Sequence, residues 1–231
     1  IMERLVGSEM CIRDSGINVN KMLDMKVPLN YLKTEGACLT PNGAKFKNDS
    51  QGFLPEMMEK MYNERVVFKK RMIKAKQQYE RTKNPKLVKE IARCHNIQWS
   101  KKIALNSAYG AVGNQYFRYY DVRQASGITT AGQFIIRFIE KKVNEYLNGV
   151  LQTKDKVDYI VASDTDSIYV RFGKLVEKTC QGKSTEQIVD FLNKVCENKL
   201  EPYIAKCFDE LADYSNAFKN AMVMKLSLIH I

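Results

Sequence analysis

Asn84-Pro85 constrains this chain more than any other feature. It separates two long helix-forming stretches, and proline disfavours helix at the residue before it. Upstream, Gly52-Phe53-Leu54-Pro55 marks a helix start, with Pro55 suited to the first turn and Glu56 and Glu59 to the positive helix end. The pattern predicts a helix of roughly 27 residues, with Met58, Met61, Tyr62, Met72, Ile73 and Tyr79 available for an apolar stripe. A second helix is predicted from about Lys86 to Tyr109, with Leu87, Val88, Ile91, Ile97, Ile103 and Leu105 among its apolar positions. So short a break implies an antiparallel helical hairpin. Each arm would reach on the order of 35–40 Å, so the hairpin is expected to project beyond a compact body.

Charge singles out the same segment. The chain has 231 residues and a formal charge of +11. Between Lys60 and Lys102 lie fourteen basic residues and only three acids, Glu64, Glu80 and Glu90; the remainder is balanced. A basic block beside a neutral body points to a polyanion partner. With 45 % apolar residues the chain can bury a core, which excludes wholesale disorder. No apolar run approaches the ~18–20 residues of a membrane span, and no charged-then-apolar leader opens the chain. The six cysteines form no CxxC and only two histidines occur, so neither a zinc site nor a disulfide framework is expected; reduced thiols in the cytoplasm fit best. Asn48-Asp49-Ser50 is a formal glycosylation sequon and reads as a surface turn.

The rest of the chain predicts an α+β fold. Cys38 to Phe46, with Pro41 and Gly43 at its turn, reads as a small β-hairpin. An aromatic link (Tyr116, Phe117, Tyr119, Tyr120) leads to a helix over Ile128–Leu147 that ends near Asn148-Gly149. Strands are predicted over Val157–Ala162 and Ser167–Phe172, joined as a hairpin by Ser163-Asp164-Thr165-Asp166. A helix from about Thr185 to Leu200 follows, interrupted at Glu201-Pro202 before helix resumes. The segment 1–15 and the terminal 226–231 resemble translated sequencing-adapter read-through and are expected to be non-native.

Three constellations carry chemistry. Asp164 and Asp166 sit at the apex of an apolar hairpin, where two carboxylates repel unless a cation lies between them. Hard divalent ions such as Mg²⁺ suit carboxylate oxygens, and two of them can stabilise the attacking and leaving oxygens of a phosphoryl transfer. A solvated acidic turn is the alternative. In Lys102-Ile-Ala-Leu-Asn106-Ser107-Ala-Tyr109-Gly110, the cation, amide, ring and bare backbone fall on one helix face. They suit a phosphate, a sugar or base edge, and the close approach of a base pair; a plain helix end capped by Gly110 is the alternative. Arg65 and Lys69, again one turn apart, lie on the opposite arm and could clamp a triphosphate with Lys102, or form a solvated charged face.

The combination is far more specific than its parts. A basic helical hairpin ending in Lys-x-x-x-Asn-Ser-x-Tyr-Gly, followed by a β-hairpin with Asp-Thr-Asp-Ser, resembles the arrangement of family B DNA polymerases. The stretches Lys102–Arg123 (KIALNSAYGAVGNQYFRYYDVR) and Val161–Val170 (VASDTDSIYV) are closely similar to the replicative enzymes of large tailed phages. The similarity runs from about Gly16 to Lys225.

That resemblance implies residues 55–110 as the fingers hairpin, 16–54 as a palm-edge segment with its small β-hairpin, and 111–225 as part of the palm. It implies that Arg65 and Lys69 meet the β- and γ-phosphates of an incoming dNTP, and that Lys102 contacts the triphosphate near the scissile α-phosphate. Asn106 would line the nucleotide pocket, and Tyr109 and Gly110 would abut the nascent base pair on its minor-groove side. Asp166 would be the bridging metal ligand and Asp164 the second acid, with two Mg²⁺ ions in the intact enzyme. Primer–template DNA and dNTP are the implied partners, no membrane is involved, and regions outside this chain leave room for a sliding clamp. The cytoplasm of a phage-infected bacterial cell is the implied setting.

Two departures stand out. Ser163 occupies the position before the first aspartate where the family usually has glycine, which predicts a small change of turn geometry. The Asp-x-x-Ser-Leu-Tyr-Pro motif, which carries the family's other metal-binding aspartate, does not occur in this chain. The family's exonuclease and thumb regions also have no counterpart in it. Because both metals need the missing carboxylate, the isolated chain is expected not to polymerise. A glycosyltransferase that holds a metal-bound nucleotide sugar through Asp-x-Asp is an alternative; there the motif follows a parallel strand. A non-catalytic module that merely grips nucleic-acid backbone is a second alternative.

Overall fold

Among the described residues, four short elements precede two long helices. The computed structural model describes residues 17–153 and 156–226. In chain order they form α1 (Val19–Leu23), α2 (Tyr31–Glu35), β1 (Ala37–Leu39), β2 (Lys45–Lys47), α3 (Phe53–Thr82), α4 (Pro85–Val112) and α5 (Val122–Leu151). Then follow β3 (Ile160–Asp164), β4 (Ser167–Val170), α6 (Gly173–Thr179), α7 (Thr185–Val195), a five-residue π-helix (Cys196–Leu200) and α8 (Glu201–Ser215). The fold is thus mostly helical, with two antiparallel two-stranded sheets, β1–β2 and β3–β4. The expectations of non-native segments over 1–15 and 226–231 lie outside the described residues, Leu226 excepted. Among the described residues no helix is long and apolar enough to cross a membrane. The chain divides into two compact units at 48/49 and 126/127.

The first unit holds the helical hairpin. Its turn is made by three successive residues with separate tasks. Lys83 ends α3 in the left-handed region (φ 53°), its N–H bonded to the Tyr79 carbonyl at 2.7 Å. Asn84 is extended and its side chain accepts the Lys86 N–H at 3.0 Å, while Pro85 starts α4 where a missing N–H costs nothing. The seam between the arms buries Ala75, Cys94 and Gln98. Beside it, Arg71 pairs with Glu90 at 2.5 Å, Glu90 also accepts from Cys94 Sγ at 3.3 Å, and Lys101 pairs with Glu64. Tyr62, Ile73, Val88 and Ile103, taken from the sequence as part of the apolar stripes, are exposed. Two helices share only one seam, narrower than the apolar set, so off-seam residues face outward.

The second unit has a contiguous core. Phe138, Ile139, Val143, Leu147 and Leu151 on α5 pack with Met22, Leu32, Leu39, Tyr159, Leu175, Leu200, Ile204, Phe208 and Leu211. Asn216 ends α8 in the left-handed region, and its amide donates to the carbonyls of Leu32 (3.2 Å) and Ala37 (2.8 Å). The Asn48 amide donates in turn to the Asn216 carbonyl at 2.9 Å, which gives the sequon asparagine a structural use.

Three boundaries differ from the sequence expectation, for reasons visible in the local and longer-range hydrogen bonds. First, α5 starts at Val122 rather than Ile128 and runs through Asn148-Gly149 to Leu151. At its start the Asp121 carboxylate accepts the Arg123 N–H (2.9 Å); at its end Asn148 does not stop the helix but clamps the following segment, donating to Val157 O (2.8 Å) and accepting from Val157 N (3.0 Å). Second, β3 starts at Ile160 rather than Val157, because Asn148 and Asn144 Oδ1 (2.7 Å from Tyr159 N) already hold the backbone before it. β4 ends at Val170, since Phe172 already precedes α6 as its N-cap. Third, Pro202 causes no break. The π-helix inserts one wide turn, with the Glu201 N–H reaching the Cys196 carbonyl, and Pro202 falls in the first turn of α8, where its absent N–H is not needed.

Phe138 is 1 % exposed at the centre of this core. Phe138→Ala is expected to lower the unfolding free energy by about 3–5 kcal/mol in urea titrations, through lost transfer energy plus a residual cavity.

Candidate functional site

Each unit carries one group of candidate residues. In the first, Glu64–Lys101 is the starting point, because it fixes the register of the arms. Lys101 holds the exposed Glu64 carboxyl below the usual glutamate range. On antiparallel right-handed helices, stepping one residue past a facing pair carries both side chains to the same side. Arg65 and Lys102 therefore lie on the same side of the hairpin, within about 3 Å of one level. Lys69 lies one turn beyond Arg65, and Asn106, Tyr109 and Gly110 continue the Lys102 stripe along α4. Lys69, Lys102, Asn106, Tyr109 and Gly110 are all exposed, whereas Arg65 is half-buried. Its Nε atom is buried with no hydrogen-bond partner. A buried guanidinium nitrogen left unsatisfied is costly unless an anion completes it.

Gly110 is not the cap that the sequence left open as an alternative. The helix continues to Val112 and Gly113 caps it. A Cβ added at Gly110 would meet nothing within 4 Å, so no internal packing requires a bare backbone there. Glycine inside a helix costs about 0.5–1 kcal/mol relative to alanine. The chain keeps that cost while presenting open backbone beside Asn106 and Tyr109, a surface suited to an outside ligand.

Sequence reasoning missed two features of this face. Lys102 Nζ stands 5.0 Å from the centroid of the Trp99 ring, which itself stacks on His95. The i, i+3 and i, i+4 spacings were legible, but no chemical motif drew attention to them. The block's cations also differ in availability: Lys101 and Arg71 are engaged across the seam, which becomes visible only once the register is known.

The second unit holds the carboxylates. Asp164 closes β3 opposite Ser167, so Thr165 and Asp166 form a two-residue turn. Thr165 has φ 27°, a region that β-branched residues rarely adopt, and its hydroxyl donates to Asp164 Oδ1 at 2.9 Å. Such strain sits where a turn must hold particular side chains outward. Ser163 lies in β3 opposite Ile168 and is exposed. The two strands are antiparallel, as the polymerase reading requires and the glycosyltransferase reading does not. Both carboxylates are exposed, and among the described residues neither has an ion-pair partner. Two adjacent unneutralised carboxylates are a donor set for a hard divalent cation. They are an incomplete one: among the described residues no group of three or more acidic, histidine or cysteine side chains gathers around a common point.

Gly110→Ala is expected to raise the stability of the hairpin by about 0.5–1 kcal/mol, measured by thermal loss of helicity, since nothing in the chain opposes the added methyl. Lower stability would show instead that a hidden packing contact needs the glycine.

The profile of DNA polymerase family B matches residues 14–211. The DNA-directed DNA polymerase of Escherichia phage RB69 is 34 % identical over 228 residues, covering 80 % of this chain and 25 % of that protein. That of Enterobacteria phage T4 is 37 % identical over 200 residues, covering 84 % and 20 %. The DNA polymerase of Pyrococcus glycovorans is 27 % identical over 157 residues, covering 68 % and 18 %. The chain spans a quarter or less of the length of these relatives. With the profile extending from the start of the described residues through most of α8, and taking in both candidate groups, this chain belongs to DNA polymerase family B.

Proposed function

We propose that this chain forms the nucleotide-gripping and part of the metal-binding machinery of a phage-type DNA-directed DNA polymerase. The reaction is template-directed transfer of a nucleotide from dNTP to a primer 3′-hydroxyl, with release of pyrophosphate. The observation that carries the reading is the shared face of the hairpin: Lys102, Asn106, Tyr109 and Gly110 in one stripe of α4, with Arg65 brought to the same side by the Glu64–Lys101 pair. The matches to phage polymerases support it.

In this reading α3 and α4 are the fingers and the β3–β4 hairpin belongs to the palm. Arg65 and Lys69 hold the β- and γ-phosphates. Lys102 lies against the α-phosphate, where negative charge builds up as the 3′-oxygen attacks and the bond to pyrophosphate breaks. Asn106 lines the pocket, while Tyr109 and the open backbone at Gly110 lie along the new base pair. Asp166 and Asp164 would hold divalent cations, Mg²⁺ being the expected ion; such ions supply Lewis-acid activation of the attacking hydroxyl and neutralise the leaving group. Primer–template DNA is the partner along Tyr109 and Gly110, a sliding clamp is a further partner of the whole polymerase, and the cytoplasm of an infected bacterium is the setting.

In the intact polymerase, Lys102→Ala and Asp166→Ala are each expected to slow single-turnover nucleotide incorporation by about 10²–10³-fold or more. Affinity for duplex primer–template should change little. A grip on nucleic-acid backbone alone would give the opposite pattern, with weaker, salt-sensitive binding and no specific loss of chemistry. The purified 231-residue chain with Mg²⁺, dNTP and a primed template is expected to give no primer extension, because its sequence lacks the Asp-x-x-Ser-Leu-Tyr-Pro carboxylate.

A further inference from the structure

We propose that Trp99, backed by His95, is a positioning residue for Lys102: the stacked pair holds the lysine ammonium on the triphosphate face without neutralising it. The inference rests on the proposed role of Lys102 as a triphosphate ligand.

The geometry is local to α4. His95 and Trp99 are one turn apart, with ring planes within 10° and centroids 6.1 Å apart. Lys102 lies one turn further along the same face, and its Nζ stands 5.0 Å from the Trp99 centroid, within cation–π range. Trp99 is the chain's only tryptophan and is 48 % exposed. It therefore does little inter-arm packing, which falls to Ala75, Cys94 and Gln98.

The contrast between adjacent lysines carries the argument. Lys101 is paired with the Glu64 carboxylate, and that acceptor would compete with any phosphate. Lys102 has no carboxylate partner among the described residues and rests on a ring face instead. A ring quadrupole attracts the ammonium and restricts its flexible stem, yet leaves the charge and the hydrogen-bond donors available to an anion. The stem is thus partly ordered before the anion arrives, which lowers the entropic cost of binding. His95 in turn limits the motion of the Trp99 ring by offset stacking.

The test uses the 231-residue chain and sodium tripolyphosphate, titrated by calorimetry. Trp99→Leu is expected to weaken binding by roughly two- to fivefold, the range of an exposed cation–π contact. Trp99→Phe should restore most of the affinity, and Trp99→Leu added to Lys102→Ala should cost nothing further. A Trp99→Leu chain that binds like wild type, or that loses as much again in the Lys102→Ala background, overturns the positioning role. Wild-type affinity in Lys102→Ala would instead overturn the ligand role of Lys102, a distinct result. The wild-type chain gives a second readout that needs no substitution. The Lys102 ε-methylene protons should show an upfield ring-current shift in NMR spectra without ligand, and ordinary lysine shifts there would contradict the contact.

Discussion

The candidate nucleotide face depends on the register between two helices, and one ion pair holds that register where it matters. Glu64–Lys101 sets α3 against α4 at the level of Arg65 and Lys102, and Arg71–Glu90 does the same nearer the turn. Individually such partly exposed pairs add little stability, about 0–1 kcal/mol. Their weight is in alignment, alongside the buried seam of Ala75, Cys94 and Gln98. A slip of one turn along the seam would carry Arg65 away from Lys102 by about 5.4 Å and dismantle the shared face.

The charge of the hairpin takes on a graded meaning. A net +11 concentrated in one segment says only that a polyanion is near. Within it, Lys101 and Arg71 are engaged across the seam, Lys102 is held on an aromatic face, and Arg65 is half-buried. The second unit inverts the sign: Asp164 and Asp166 stand exposed on a strained turn, with no ion-pair partner among the described residues.

Much of this was legible in the sequence, and the reasons for the rest are physical. Asn84-Pro85 announced the hairpin turn because proline acts locally, and Asp164-Thr165-Asp166-Ser167 announced a tight turn for the same reason. Lys102, Asn106 and Tyr109 could be placed on one face because helical spacing is all that is required. The length of α5 was not legible: Asn148-Gly149 has the form of a helix stop, but the Asn148 amide is bound by Val157, a partner nine residues on. Pro202 likewise looked like a break until the π-turn before it absorbed the missing donor. Interactions across the hairpin, such as Glu64–Lys101, require a register that no single-helix pattern specifies.

The central claim is that dNTP binds the Arg65–Lys102 face rather than the basic turn of the hairpin. The most direct measurement is the map of backbone amide shifts when dNTP is titrated into the isotopically labelled chain. The account predicts perturbations centred on Arg65, Lys69, Lys102, Asn106 and Tyr109, with residues from Lys74 to Lys89 largely unmoved. Perturbations centred on Lys74 to Lys89, with the Arg65–Lys102 face silent, would contradict it.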